Sequence, residues 1–302
     1  MTTSRPNADE PQSGVVVIDK PTGLTSHQVV AKIRRLAGTR KVGHAGTLDP
    51  MATGVLVIGI GKATRLLGYL ALTKKVYQAT VRLGISTVTD DADGTVTSTA
   101  GADRLSDDQI EAALAGLRGK RMQVPSAVSA IKVDGVRAYA KVRSGQEVDL
   151  APRPVTIDRF EVVDRFDLEL DGVAVVDLDV IVECSSGTYV RALARDLGSI
   201  LGTGGHLTAL RRTCVAPFTI KDAQTLKEAE RRLKVMPVDR VVRECFTTLT
   251  VTEAQASYIG NGRRLIGLVL PDRTTALLDE AGHFLALYRQ DGPDAIAETV
   301  FV

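Results

Sequence analysis

The run from Lys41 to Gly61, KVGHAGTLDPMATGVLVIGIG, gathers one His, one Asp and five Gly around an Asp-Pro pair and then turns almost wholly apolar. Such a stretch has few ways to fold. A residue before proline is driven to extended backbone and the proline φ is fixed, so Asp49-Pro50 belongs on a loop whose glycines permit a tight path. VLVIGI from Val55 then reads as a buried strand. Taken alone, Asp-Pro reads first as a capped turn. The sharper alternative is a carboxylate held rigidly on a loop and open to a ligand.

A chain of 302 residues with 44% hydrophobic content can bury a sizeable core and suits one large domain plus a small one. No apolar run approaches the roughly 20 residues of a membrane helix. Residues 1–13 are polar, expected to be a disordered tail with no secretion segment. Cys184, Cys214 and Cys245 lack the close spacing of zinc or disulfide frameworks, and the four His are scattered, so reduced thiols in a cytoplasmic protein without a metal site are expected. Charge is uneven: residues 1–90 hold 12 Lys and Arg against 5 Asp and Glu, and residues 246–302 hold 4 against 7. A basic front half suggests a polyanionic partner, although a charged face also serves solvation alone.

Val15 to Asp19 reads as a strand, followed by a helix capped by Ser26 with Val29, Val30, Ile33 and Leu36 on one face. Lys62 to Leu72 has helical spacing. Lys75 onward alternates, with Tyr77, Ala79, Val81 and Leu83 inward and Gln78, Thr80 and Arg82 outward. A core tyrosine with a satisfied hydroxyl accounts for Tyr77 locally. Ser106 to Gln109 and Thr225 to Glu228 form capping boxes. Between Lys120 and Pro154 the pattern is irregular and basic, fitting either an RNA-contacting excursion or a solvated insertion. Strands follow at Val155 to Val163 and Val173 to Cys184, then a glycine turn into a helix through Leu197, on which Arg191 is locally an exposed charge or a carboxylate partner. From Thr247 short strands separated by turns form a small β-rich domain.

Several chemistries are excluded. The acidic run Thr89 to Gly94 fails as a calcium loop, because Thr89 and Ala100 stand where Asp and Glu are required. Gly61-Lys62 fails as a phosphate loop, with Leu56 in place of its first glycine and Ala63 in place of Ser or Thr. Neither a G-x-S-x-G nor a Rossmann glycine pattern occurs.

Gly43-His44-Ala45-Gly46-Thr47-Leu48-Asp49-Pro50 with Ala52-Thr53-Gly54 resembles the catalytic motif of bacterial tRNA pseudouridine-55 synthases, the TruB-type family. Lys20-Pro21 with Gly23, Lys75-Val76-Tyr77, Asp90 to Gly94, Ser186 to Arg191 and Leu210-Arg211-Arg212 match further family motifs in order. The resemblance runs from about Gly14 to the mid-210s. It implies an α/β (α+β) pseudouridine synthase fold with a large mixed, mainly antiparallel sheet. A catalytic domain would span 14–245, with a thumb-like insertion at about 120–154, and a PUA-like RNA-binding domain would span 246–302.

The implied reaction isomerises uridine 55 in the T-loop of tRNA to pseudouridine after base flipping, with no cofactor and no metal. Asp49 would be the catalytic carboxylate, as nucleophile or as base toward a ribose proton. Arg191 would pair with it, and Tyr77 would stack on the uracil and help remove the C5 proton. Leu210 would pack on the base, His44 would contact the T-loop, Asp90 would orient the flipped nucleotide, and Lys20 would lie near the cleft or act structurally. The expected partner is tRNA, bound by a monomer with no obligatory protein partner and no membrane. A tRNA-folding chaperone and a guide-RNA-dependent synthase are the competing readings.

Overall fold

The two runs that are apolar at every position, Val15 to Ile18 and Val55 to Ile58, become neighbouring strands buried on both faces. In the computed structural model, which describes residues 13–126 and 150–302 and the backbone of two short strands at Lys132–Val133 and Val136–Arg137, β1 (Gly14–Lys20) pairs antiparallel with β3 (Thr53–Ile60). β2 (Val42–His44) lies along the far end of β3. One face of this pair is covered by α1 (Ser26–Leu36), whose Val29, Val30 and Ile33 pack on Val16, Ile18, Leu56 and Ile58. The other is covered by residues 61–71 and by residues from the C-terminal end of the chain.

Two local expectations are corrected. The cap of α1 is Thr25, in a capping box with Gln28, so Ser26 is the first helical residue and its hydroxyl is free for another task. Residues 61–71 are a 3₁₀ turn, Gly61–Leu66, followed by the short α2 (Leu67–Ala71). The hydroxyl of Thr64 donates to the carbonyl of Gly61 at 2.8 Å, a local bond that competes with α-helical pairing.

Downstream lie β4 (Lys75–Leu83), α3 (Asp107–Leu117), β5 (Gly119–Gln123), β6 (Arg153–Leu170), β7 (Val173–Cys184), α4 (Val190–Leu201) and β8 (Gly205–Val215). The sheet runs from a short strand at Gln224–Thr225 through β1, β3, β8, β4, β7 and β6 to β5. It is mixed and mainly antiparallel: β3 meets β8 in parallel, as β1 meets Gln224–Thr225. The alternation of β4 buries Tyr77, Ala79, Val81 and Leu83 under α3 and α4. Its other face carries cross-strand polar pairs, with Arg82 on Asp177 at 2.7 Å and Thr80 on Asp179 at 2.6 Å. Both expected capping boxes, at Ser106 and Thr225, are formed.

The expected β-rich C-terminal part is present as a four-stranded sheet, β9 (Thr247–Thr250), β10 (Thr274–Leu278), β11 (Phe284–Asp291) and β12 (Asp294–Val300). Its Ala276, Leu278, Leu287 and Phe301 share one apolar cluster with Val15, Val17, Val55 and Val57. Lys62 and Arg65 donate to the carbonyls of Phe301 and Val300 at 3.2 and 2.6 Å. Most of the basic stretch expected as a thumb lies outside the described residues. Among those described, no helix is long and apolar enough to cross a membrane, and no group of three His, Cys, Asp or Glu is arranged to hold a metal ion.

Candidate active site

Five successive carbonyls carry the loop that presents Asp49, and each accepts a hydrogen bond. Arg212 donates to Gly46 and Thr47 at 3.1 and 3.3 Å, Ser26 Oγ to Leu48 at 3.0 Å, and the Ala52 amide to Asp49 at 3.1 Å. Pro50 accepts from the Gly23 amide at 2.8 Å and from Lys20 Nζ at 3.2 Å. Ser26 Oγ also accepts from the Leu48 amide at 2.9 Å, which is the task its release from capping allows. A loop with five successive carbonyls satisfied, four of them from outside the loop, cannot shift without losing several bonds of about 1 kcal/mol each. The Asp49 side chain is therefore aimed by the fold.

At its tip Asp49 Oδ2 stands 3.0 Å from Arg191 Nε, on the first turn of α4. Arg191 is 4% exposed, and its Nη1 lies 3.2 Å from Asp91 Oδ2 and donates to the Thr89 carbonyl at 2.8 Å. One buried guanidinium thus spans two carboxylates. Burial pushes the Asp91 carboxyl above its ordinary value, while its bond from Thr89 and the charge of Arg191 oppose the shift.

Asp49, Tyr77, Arg191 and Leu210 line one cavity of about 270 Å³. Leu210 reaches it through an irregularity in β8. Pairing with β4 runs Leu207 to Val81 and then Ala209 to Thr80, so Thr208 is a bulge. The extra residue turns Leu210 to the face of Ala79 and Arg212 to that of Tyr77, while Arg211 points to the opposite face and grips Asp19 at 2.8 Å. Arg212, 1% exposed, also donates to the Val55 carbonyl at 2.8 Å and so underlies the whole loop. Burial raises the pKa of the Tyr77 phenol.

The other three residues singled out from the sequence do not line this cavity. Lys20 lies behind the loop, with all three ammonium donors on the carbonyls of Pro21, Leu24 and Pro50. Desolvation pulls its pKa down to about 8, against the raising effect of Asp49. His44 ends β2 with its ring edge-on to His27, centroids 5.5 Å apart, and burial lowers its pKa. Asp90 faces Arg195 at 3.3 Å, and it is its neighbour Asp91 that meets Arg191.

Sequence reasoning missed Ser26, Lys75, Asp91 and Arg212. Period-two alternation could have found Lys75, which shares the face of Tyr77, and Arg212, which shares that of Leu210. Nothing local marks Ser26 or separates Asp91 from Asp90.

Comparison with known proteins places this geometry in context. Residues 34–190 match the family model for the TruB family pseudouridylate synthase N-terminal domain, and residues 191–244 match that for the tRNA pseudouridylate synthase B C-terminal domain. A tRNA pseudouridine synthase B of Paenarthrobacter aurescens (strain TC1) is 54% identical over 96% of this chain and 95% of its own length. One of Cutibacterium acnes (strain DSM 16379 / KPA171202) is 55% identical over 93% and 94%. Among solved structures, a Cbf5-Nop10-Gar1 complex contains a chain that superposes with a TM-score of 0.71 at 25% identity, covering 99% of this chain and 88% of that one. An H/ACA RNP bound to a substrate RNA containing 2′-deoxyuridine gives 0.70 at 24%, a likeness of fold.

Proposed function

The chain belongs to the TruB family of pseudouridylate synthases, isomerases of tRNA uridine, and from that premise we propose that it converts uridine 55 of the tRNA T-loop to pseudouridine with Asp49 as its one catalytic carboxylate. The observation that carries the proposal is the cavity in which Asp49, fixed by Arg191 at 3.0 Å, opposes Tyr77 and Leu210. A carboxylate so held can attack the sugar or base, or remove a ribose proton. The isomerisation balances without redox change: the bond from ribose C1′ to uracil N1 breaks, one from C1′ to C5 forms, and the proton lost from C5 is matched by one gained at N1.

Tyr77 and Leu210 hold the flipped uracil between an aromatic ring and an aliphatic side chain. A phenol whose pKa is raised by burial is a poor source of phenolate, so stacking is the role its surroundings favour. A base still stacked in its loop cannot reach a carboxylate on this cavity wall. Flipping therefore precedes chemistry, at a cost of a few kcal/mol offset by stacking and backbone contacts. Lys20 supports Pro50 from behind the loop, His44 meets the T-loop from the end of β2, and Asp90 acts through Arg195. The C-terminal sheet, as a PUA-like domain, is a second RNA-contacting surface on a monomeric enzyme that needs no protein partner.

The test is pseudouridine mapping on an unmodified tRNA transcript incubated with the purified chain alone. Conversion of one T-loop uridine by the wild type, lost in Asp49→Asn with binding retained, is expected. Conversion of free tRNA also excludes a requirement for guide RNA. Absence of any converted site would overturn the reading, and unimpaired tRNA folding with no conversion would favour a chaperone.

A further inference from the structure

Lys75 opens β4 two residues before Tyr77, lines the same cavity, and is 5% exposed. Its Nζ donates to the carbonyls of Ala71 and Thr73, where α2 ends. An ammonium has three donors, and among the described residues no third acceptor and no carboxylate meets this one. The groups that face it are the cation of Arg212 from β8 and the thiol of Cys184 from β7, which burial pushes up to about 11 and so keeps uncharged. Lys20, the other buried lysine beside the loop, has three carbonyls for its three donors. A buried cation one bond short and next to a second cation is costly to maintain. Its third N–H is left for an acceptor that enters the cavity Lys75 lines, and one that gains negative charge suits a cation best.

We propose that Lys75 is a further catalytic residue, donating its third N–H to an exocyclic oxygen of the flipped uracil and stabilising the charge that develops there when the glycosidic bond breaks. The inference rests on the reading of this cavity as the uridine-isomerising site. Cleavage leaves the electron pair of the C1′–N1 bond on N1, and conjugation spreads it onto O2 and O4. The sugar carbon is taken up by Asp49 or loses a neighbouring proton to it. A nucleotide phosphate is the poorer candidate for the acceptor, because a strongly hydrated group belongs at the mouth, whereas Lys75 is buried on the face against which the base stacks. Desolvation, with Arg212 adding, brings the Lys75 pKa down to about 8, so the ammonium persists at neutral pH, and an anionic partner in the cavity holds its proton more firmly.

Two arms test this. In the first, single-turnover conversion and tRNA affinity are measured for Lys75→Met. The rate is expected to fall about 10²–10³-fold, the scale of one lost donor to a developing anion, with the dissociation constant changed by less than about threefold. In the second, the wild-type enzyme receives tRNA with 2-thiouridine or 4-thiouridine at the target. Sulfur is a weak acceptor, so one of the two is expected to react slowly and to identify the oxygen that Lys75 meets. A Lys75→Met rate within about threefold of wild type, or thio substrates both converted at the uridine rate, overturns the proposal. If Lys75→Met does not fold, the second arm decides alone. Wild type inactive on uridine itself would instead bring down the reading of the site.

Discussion

The carbonyl oxygen of Arg212 lies 2.1 Å from the point where a Cβ on Gly54 would stand. Gly54 has φ of +101° and pairs in parallel with Arg212, so the strand that leaves the Asp49 loop passes directly against the residue that supports that loop. Gly54→Ala must therefore push β3 and β8 apart as well as adopt a strained backbone. We expect a loss of roughly 2–4 kcal/mol in stability, read as a lower urea midpoint, together with a slower conversion rate as Arg212 is displaced from Gly46 and Thr47. An alanine variant with wild-type stability would contradict the close approach.

Arg191→Met removes the cation between Asp49 and Asp91 and leaves a carboxylate with 6% side-chain exposure without its charge partner. Breaking such a pair costs about 3–5 kcal/mol. Urea unfolding should show that loss, and single-turnover conversion should fall to near background. Asp91→Asn spares the contact to Asp49 but loosens the guanidinium, and a milder fall, on the order of tenfold, is expected from a positioning defect. Equal rates for Asp91→Asn and wild type would show that Asp91 does not hold Arg191 in place.

Inserting one alanine between Ala209 and Leu210 shifts β8 by one residue beyond its bulge at Thr208. Leu210 then falls opposite Gln78 instead of Ala79 and turns to the outward face. Circular dichroism should still report a folded sheet, while conversion should be lost. Leu210→Ala, which keeps the register, should lose less, about 1–3 kcal/mol of transition-state binding. An insertion variant that retained activity would show that the register of β8 is not what presents Leu210.

Lys20 has a folded pKa of about 8 against 10.5 for an ordinary lysine. Between these values the unfolded chain carries a proton that the native chain has lost, so this residue makes stability rise with pH across the window, by up to roughly 3 kcal/mol. Below about pH 8 its burial cost is fully present. Activity should move the opposite way, since neutral Lys20 holds the Pro50 carbonyl more weakly. Lys20→Met should flatten the alkaline rise in urea-unfolding free energy; an unchanged slope would mean that Lys20 does not titrate there.

How much of this could be read beforehand differs from residue to residue. The Asp-Pro loop and the strand after it follow from composition, because proline, glycine and an apolar run each restrict the backbone locally. The placement of Tyr77 within the core follows from alternation alone. The placement of Leu210 does not, since the bulge at Thr208 is a property of two strands paired at a distance. Nor could Asp91 be told from Asp90: their divergence depends on Asp90 adopting φ of +59°, which sends one carboxylate to Arg195 and the next to Arg191. Ser26 reads as a cap from the sequence because it and Thr25 are both suited to that position, and only the approach of Leu48 shows what its hydroxyl does.

The apolar cluster that closes over Val15, Val17, Val55 and Val57 is completed by Phe301. During synthesis the first two long strands therefore leave the ribosome with only residues 61–71 at hand for that face, and its cover stays incomplete while more than two hundred further residues are added. The cover of β1 and β3, and with it the setting of the strand that leaves the Asp49 loop, thus depends on residues that are far from Asp49 in sequence and made last.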